Sequence, residues 1–198
     1  VDNAKTLGKL LLMARRLCEA GCGFVTVTTN FVWDMHADVN NATMEEGMRY
    51  MGHPLDHALS AFVEDCEARG LSDEILLVAT GEMGRTPRIN GSGGRDHWGG
   101  LAPLLLYGGG LNMGQVIGHS TKDAGEPQSE PYGNEELLAT VMHTLLDVGQ
   151  VPRGRDGDHG CARYALGDHA REFGRRQRVL CADDDQRRPI DLGRVEHR

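Results

Sequence analysis

Two short, uninterrupted apolar runs limit what this chain can fold into: EILLVAT at 74–80 and APLLLYGGG at 102–110. A strand with one wet face would alternate apolar and polar residues. These runs do not, and so read as strands covered on both sides. Helical patterns flank them. From Asn3 to Ala20, apolar residues at 7, 10, 11, 14 and 17 keep the helical period, and Gly21 offers a stop. Pro54 opens a second helix with Leu55, Ala58, Leu59, Phe62, Val63 and Cys66 on one side, ended by Gly70. A third begins at Asn134, read as its N-cap, with two glutamates in the first turn and Leu137, Leu138, Val141 and Leu145 inside. FVTVTTNFV, at 24–32, adds a β-branched strand. Alternating helices and buried strands predict a three-layer α/β/α domain around a largely parallel sheet.

The 198 residues suffice for one such domain, since a chain of this size buries roughly 70% of its unfolded surface. A formal net charge of −8 disfavours nonspecific binding to nucleic acid. An anionic ligand would have to be drawn in by local arginines or by a metal. The five cysteines, at 18, 22, 66, 161 and 181, include no CxxC pair and form neither a disulfide framework nor a zinc ribbon. No apolar run is long enough to span a membrane, and the N-terminus lacks a signal-peptide layout. Residues 151–198 hold eleven arginines, no lysine and no apolar period. The domain is therefore expected over 1–150, with 151–198 as an Arg/Asp/Gly-rich tail that is poorly ordered or loosely packed.

In a parallel α/β sheet, ligands gather at the carboxyl ends of the strands. VWDMH follows the first strand here, GEMGR follows the second, and GGRDHW leads into the third. Asp34 and His36 are two apart, so in extended chain both side chains share a face. A carboxylate and an imidazole converging on one point, each about 2 Å from it, make ordinary zinc or transition-metal geometry. Asp96 and His97 supply a second such pair and Glu82 a further carboxylate. Arg85 and Arg95 stand ready to bind phosphate or sulfate oxygens bidentately. Arg85 could instead pair with Glu82 to pin the loop, and each acid or histidine could be a hydrogen-bonded turn residue. Seven glycines in GEMGRTPRINGSGGRDHWGG, 81–100, would let backbone amides approach an anion. No Walker-type Gly-Lys-Ser/Thr follows them. His53 and His57, at i and i+4, read as a solvent-facing pair at a helix start. His119 and Asp123 fall in a loop.

GEMGRTPRINGSGGRDHWGG, with WDMHADVN upstream and LLLYGGGLNMGQVIGHSTKDAGEP downstream, resembles the uncharacterised bacterial family of domain of unknown function 1501. That family in turn resembles the alkaline phosphatase and sulfatase superfamily. The resemblance covers about residues 5–150 and fails over the tail. It implies an alkaline phosphatase-like fold, incomplete at the N-terminus, and metal-dependent hydrolysis of phosphate or sulfate esters. Carried over by position, it makes Asp34, His36 and His97 ligands of one divalent metal, zinc first, with calcium or magnesium as alternatives. Glu82 stands where the superfamily has an Asp-His pair for a second ion, but the pair here reads Glu82-Met83. The superfamily's nucleophile lies upstream of the matching region, and Thr28, Thr29, Thr86 and Ser92 do not fit that role. The chain thus reads as the C-terminal part of a longer protein, inactive on esters by itself. A twin-arginine export signal in the longer relatives implies export.

Two other functions fit the same residues. One is a non-catalytic metal- or anion-binding module that takes sulfated or phosphorylated polymers in place of a small anionic ester. The other is a structural domain whose polar strand ends only organise loops.

Overall fold

The computed structural model describes residues 6–28 and 33–146, together with the backbone of two short segments at 178–179 and 190–191. Helix α1 spans Leu7–Glu19 and closes on Gly21, whose φ of 92° lets the Cys22 amide reach back to the Leu17 carbonyl at 2.9 Å. Residues 24–28 follow in extended form, with Val25 and Val27 turned inward and their neighbours exposed. The alternation expected of a strand is present, yet none of residues 24–28 joins a ladder; residues 29–32 of the expected strand lie outside the described residues. A one-turn helix α2 (Met44–Gly47) runs through a π-turn (Met48–Gly52) into α3 (His53–Arg69). Gly70, left-handed at φ 68°, ends α3.

Helices α1 and α3 lie together and bury Leu11, Ala58, Phe62 and Cys66. Arg15 of α1, only 3% exposed, ties the pair: its Nε lies 2.6 Å from Asp65 Oδ2 on α3, and its guanidinium also meets Glu19.

The two apolar runs form strands β1 (Leu76–Thr80) and β4 (Leu104–Gly108). Between them lie two-residue strands β2 (Gly84–Arg85) and β3 (His97–Trp98). Strands β1 and β4 pair with each other, with Leu77 opposite Tyr107 and Val78 opposite Leu106. The pairing is antiparallel, where a largely parallel sheet was expected. The reason lies in the connection: a parallel neighbour needs a crossover, usually a helix, and residues 81–103 contain none. The Gly-rich excursion carries the chain out and back at one end of the sheet.

The apolar runs are nonetheless used on both faces. Leu77 and Tyr107 pack with α1 and α3, whereas Leu76 and Leu106 pack with Leu111 and with Ala139 of helix α4 (Asn134–Leu145). Coverage is incomplete, for Leu104 and Leu105 at the start of β4 stay exposed. The Tyr107 hydroxyl is within 3.0 Å of Glu67 Oε1 and 3.2 Å of Ser72 Oγ, so its polar end is satisfied beneath the sheet. In α4 the N-cap is Gly133, one residue earlier than expected, because the Glu136 carboxylate accepts from the Gly133 amide at 2.5 Å. A final antiparallel pair, β5 (Arg178–Val179) with β6 (Ile190–Asp191), lies in the expected tail; the rest of 151–198 lies outside the described residues.

Two stretches of five residues make a sheet too small to stand alone, so its stability must come from the helices against it. Phe62→Ala should therefore cost about 3–5 kcal/mol in urea unfolding, while Leu12→Ala on the exposed side of α1 should cost less than about 1 kcal/mol. Equal losses would contradict this core.

Candidate metal centre

The segment holding Asp34 and His36 is fixed by the residue between them. Met35 is 2% exposed and packs with Met44 and Met51, against Gly47, where any Cβ would strike its thioether. In extended chain an inward Met35 turns both neighbours the other way. The segment is also tied through its backbone: the Arg95 amide donates to the Met35 carbonyl at 2.7 Å, and Asn90 Nδ2 donates to the His36 carbonyl at 2.9 Å.

The Gly-rich excursion is not a floppy linker. Strands β2 and β3 pair as an antiparallel ribbon, with Gly84 opposite Trp98 and Arg85 opposite His97. Directly opposed residues share a face, so this register sets Arg85 beside His97. Beyond the ribbon, Asn90 holds the loop tip: its Oδ1 accepts from the amides of Gly94 at 2.9 Å and Ser92 at 3.1 Å. Two glycines are demanded by close approach. A Cβ on Gly94 would overlap the carbonyl of His36, and one on Gly84 would overlap the carbonyl of Leu101. Trp98 Nε1 donates to the Gly125 carbonyl at 2.7 Å, anchoring the ribbon to the following loop.

Docking the two parts brings Asp34, His36 and His97 together, with one potential ligand atom from each lying within 4.8 Å of the others. Asp34 Oδ1 is 3.4 Å from His36 Nε2 and 3.1 Å from His97 Nε2. The imidazole rings are 4.7 Å apart at their centroids and tilted by 49°. Arg85 enters the same cluster: Nη2 donates to Asp34 Oδ1 at 2.5 Å and Nη1 lies 3.3 Å from His36 Nε2. On the far side of the His36 ring, Nδ1 is 3.1 Å from Asp96 Oδ1, which also accepts from Asn90 Nδ2 at 3.2 Å.

The electrostatics follow from these contacts. The hydrogen bond from Arg85, then that with His97, hold the Asp34 carboxyl down at about 2. Asp96 is also lowered, first by its hydrogen bond with His36 and then by Asn90. Both are thus carboxylates at neutral pH, the form in which a cation is bound. Asp34, His36 and Arg85 are half-buried, while His97 and Asp96 are exposed, so the face opens to solvent.

Of the residues singled out in the sequence, Asp34, His36, His97 and Arg85 form one cluster. Asp96 is set behind His36, on the nitrogen away from Asp34. Arg85 pairs with Asp34, not with Glu82. Glu82 is exposed and outside the group formed by Asp34, His36 and His97. Arg95 turns its guanidinium into the loop, donating from Nη1 to the carbonyls of Thr86 and Pro87 at 2.6 Å each, so it braces the ribbon. His53 and His57 are exposed on α3. Asp123 is tied to Thr121 Oγ1 at 2.7 Å in its own turn. Sequence reasoning missed Asn90, whose side chain contacts His36, Asp96, Ser92 and Gly94. Its Asn-Gly context signalled a turn, but nothing in the pattern showed that the turn would close over His36.

A family model described as "Protein of unknown function (DUF1501)" matches residues 1–156. No curated protein and no solved structure matches the chain. No helix among the described residues is long and apolar enough to cross a membrane.

Two outcomes follow from this geometry. Gly94→Ala should destabilise the chain by about 1–3 kcal/mol in chemical unfolding, the usual cost of overpacking; an unperturbed stability would mean the loop does not dock on His36. The depressed Asp34 carboxyl stabilises the fold above its ordinary value of about 4, and that contribution is lost as pH falls toward about 2. Arg85→Ala should move the Asp34 carboxyl, followed by NMR, back up toward about 4.

Proposed function

The chain belongs to the DUF1501 family, and we propose that it carries the metal centre of a hydrolase acting on phosphate or sulfate esters. Asp34, His36 and His97 would hold one divalent ion, zinc first. The convergence of these three side chains carries the reading. Ligands about 2.1 Å from a tetrahedral ion stand roughly 3.4 Å from one another; Asp34 Oδ1 lies 3.1 and 3.4 Å from the two imidazole nitrogens, and the three ligand atoms all lie within 4.8 Å of one another. Two imidazoles and a carboxylate are also a donor set that suits zinc. The ligand carboxylate is held ionised, as cation binding requires. Glu82, apart from the three, leaves the reading with a single ion.

An ion in this position supplies Lewis acidity toward an ester oxygen. Arg85, on the same face as His97, offers a planar fork suited to the other oxygens of a phosphate or sulfate. The resemblance of this region to the alkaline phosphatase and sulfatase superfamily supports the ester class. On the same reading, the helices on both faces of β1–β4 belong to a three-layer α/β/α domain of that kind. Export is a further expectation from that resemblance.

A second reading gives the hydroxyl groups near the cluster a structural part only. Thr86 Oγ1 donates to the Arg88 carbonyl at 2.9 Å and accepts from the Asp96 amide at 3.1 Å, while Ser92 is exposed at the loop tip. Neither is presented as a nucleophile, on either reading; a non-catalytic module would grip sulfated or phosphorylated polymers through the same ion and arginine.

Thermal unfolding tests the shared premise. Zinc at a hundredfold over its Kd should stabilise the chain by about 2.7 kcal/mol, chelator should remove that gain, and His97→Ala should abolish both responses without loss of helical signal. An unchanged melting temperature in zinc would leave only the structural domain. Turnover separates the two metal readings: a longer form bearing a nucleophile should hydrolyse p-nitrophenyl phosphate or sulfate and lose this in His97→Ala. No hydrolysis by that form, together with tight binding of a sulfated polymer, would favour the module.

A further inference from the structure

The position of Arg85 raises a conflict that the metal reading must resolve. Its guanidinium engages Asp34 Oδ1 at 2.5 Å and lies 3.3 Å from His36 Nε2, two of the three atoms that would ligate an ion. A neutral imidazole has one in-plane lone pair, directed either to an N–H donor or to a metal. Guanidinium is a permanent cation without acceptor sites, so it cannot bridge to the ion and is repelled by it at close range.

Resting on the metal-centre reading, we infer that Arg85 is a built-in competitor for the cation site, and that its displacement couples metal binding to oxyanion binding. Loading the ion breaks the Arg85 contacts with Asp34 and His36. The freed guanidinium stays within side-chain reach of the site. Its backbone is paired with His97 in the ribbon, and adjacent Gly84 is packed against the Leu101 carbonyl with no room for a Cβ. Two positive groups are then within reach of one another, and a tetrahedral oxyanion that spans them offsets their repulsion through bidentate contact with the arginine. Ion alone and anion alone therefore bind weakly, and each raises the affinity of the other by the same factor, as linkage requires. Such a centre rejects a bare cation and retains one when the anionic group arrives with it.

Isothermal titration of the 198-residue chain with zinc, in chloride and in sulfate of matched ionic strength, tests this with wild type, Arg85→Gln, Arg85→Lys and Arg88→Gln. In chloride, Arg85→Gln should bind zinc at least tenfold more tightly than wild type. Sulfate should tighten zinc binding to wild type severalfold and leave Arg85→Gln unchanged. Arg88→Gln, altering an exposed arginine of the same loop, should follow wild type in both buffers. Circular dichroism checks folding, and if Arg85→Gln is unfolded, Arg85→Lys, which keeps the charge but not the fork, should still bind zinc in chloride more tightly than wild type. Zinc bound to Arg85→Gln no more tightly than to wild type overturns the competition while leaving the metal centre standing. A wild-type affinity indifferent to sulfate overturns the coupling to anions. Absence of zinc binding in all four proteins overturns the metal centre and this inference together.

Discussion

The candidate centre depends on one backbone docking. The Arg95 amide meets the Met35 carbonyl, and the chain at Gly94 runs so close to His36 that no side chain fits between them. Without that contact, Asp34 and His36 belong to one part of the molecule and Arg85, Asp96 and His97 to another, separated by α2, α3 and β1. With it, the groups form a single polar face. Backbone–backbone packing this close, at Gly94 against His36 and at Gly84 against Leu101, is available only to glycine. Met35 does the complementary work on the other side. By filling the space beside Met44, Met51 and Gly47, it aims its two neighbours at the loop.

Charge is distributed around this docking in layers. Asp34 is the hub, meeting two imidazoles and a guanidinium through one oxygen. Asp96 and Asn90 form a support on the far side of His36. If Asp96 accepts the Nδ1 proton, the Nε2 lone pair of His36 faces Asp34 and Arg85, the arrangement a metal-binding histidine requires. The overall charge of −8 does not help to gather anions. Among the described residues Arg85 is the arginine that touches Asp34 and His36, which makes its commitment to Asp34 consequential.

How much of this was legible in the sequence varies with the range of the interaction. The spacing of Asp34 and His36 was readable because strand periodicity is local. The helix ending at Gly70 was readable from its apolar face and its stop signal, and the N-cap of the last helix was missed by one residue because Gly133 receives its partner from Glu136. The two apolar runs announced strands with helices on both faces, but not the direction of pairing. That is set by the helix-free connection between them, whose glycine content points to a ligand loop and carries no signal for strand direction. The division of labour between adjacent Asp96 and His97 was not legible. It depends on the two-residue register that sets His97 opposite Arg85 and leaves Asp96 on the far side of His36. The partner of Arg85 was equally hidden, since Glu82 is near in sequence while Asp34 is near only after docking.

X-ray absorption at the zinc edge, on the 198-residue chain loaded with one equivalent of zinc in sulfate buffer, tests the central claim most directly. The account predicts nitrogen and oxygen neighbours at about 2.0–2.1 Å with two imidazoles in the scattering, one of them lost in His97→Ala. A shell of water oxygens alone, or sulfur neighbours near 2.3 Å from cysteine, would place the ion elsewhere and contradict it.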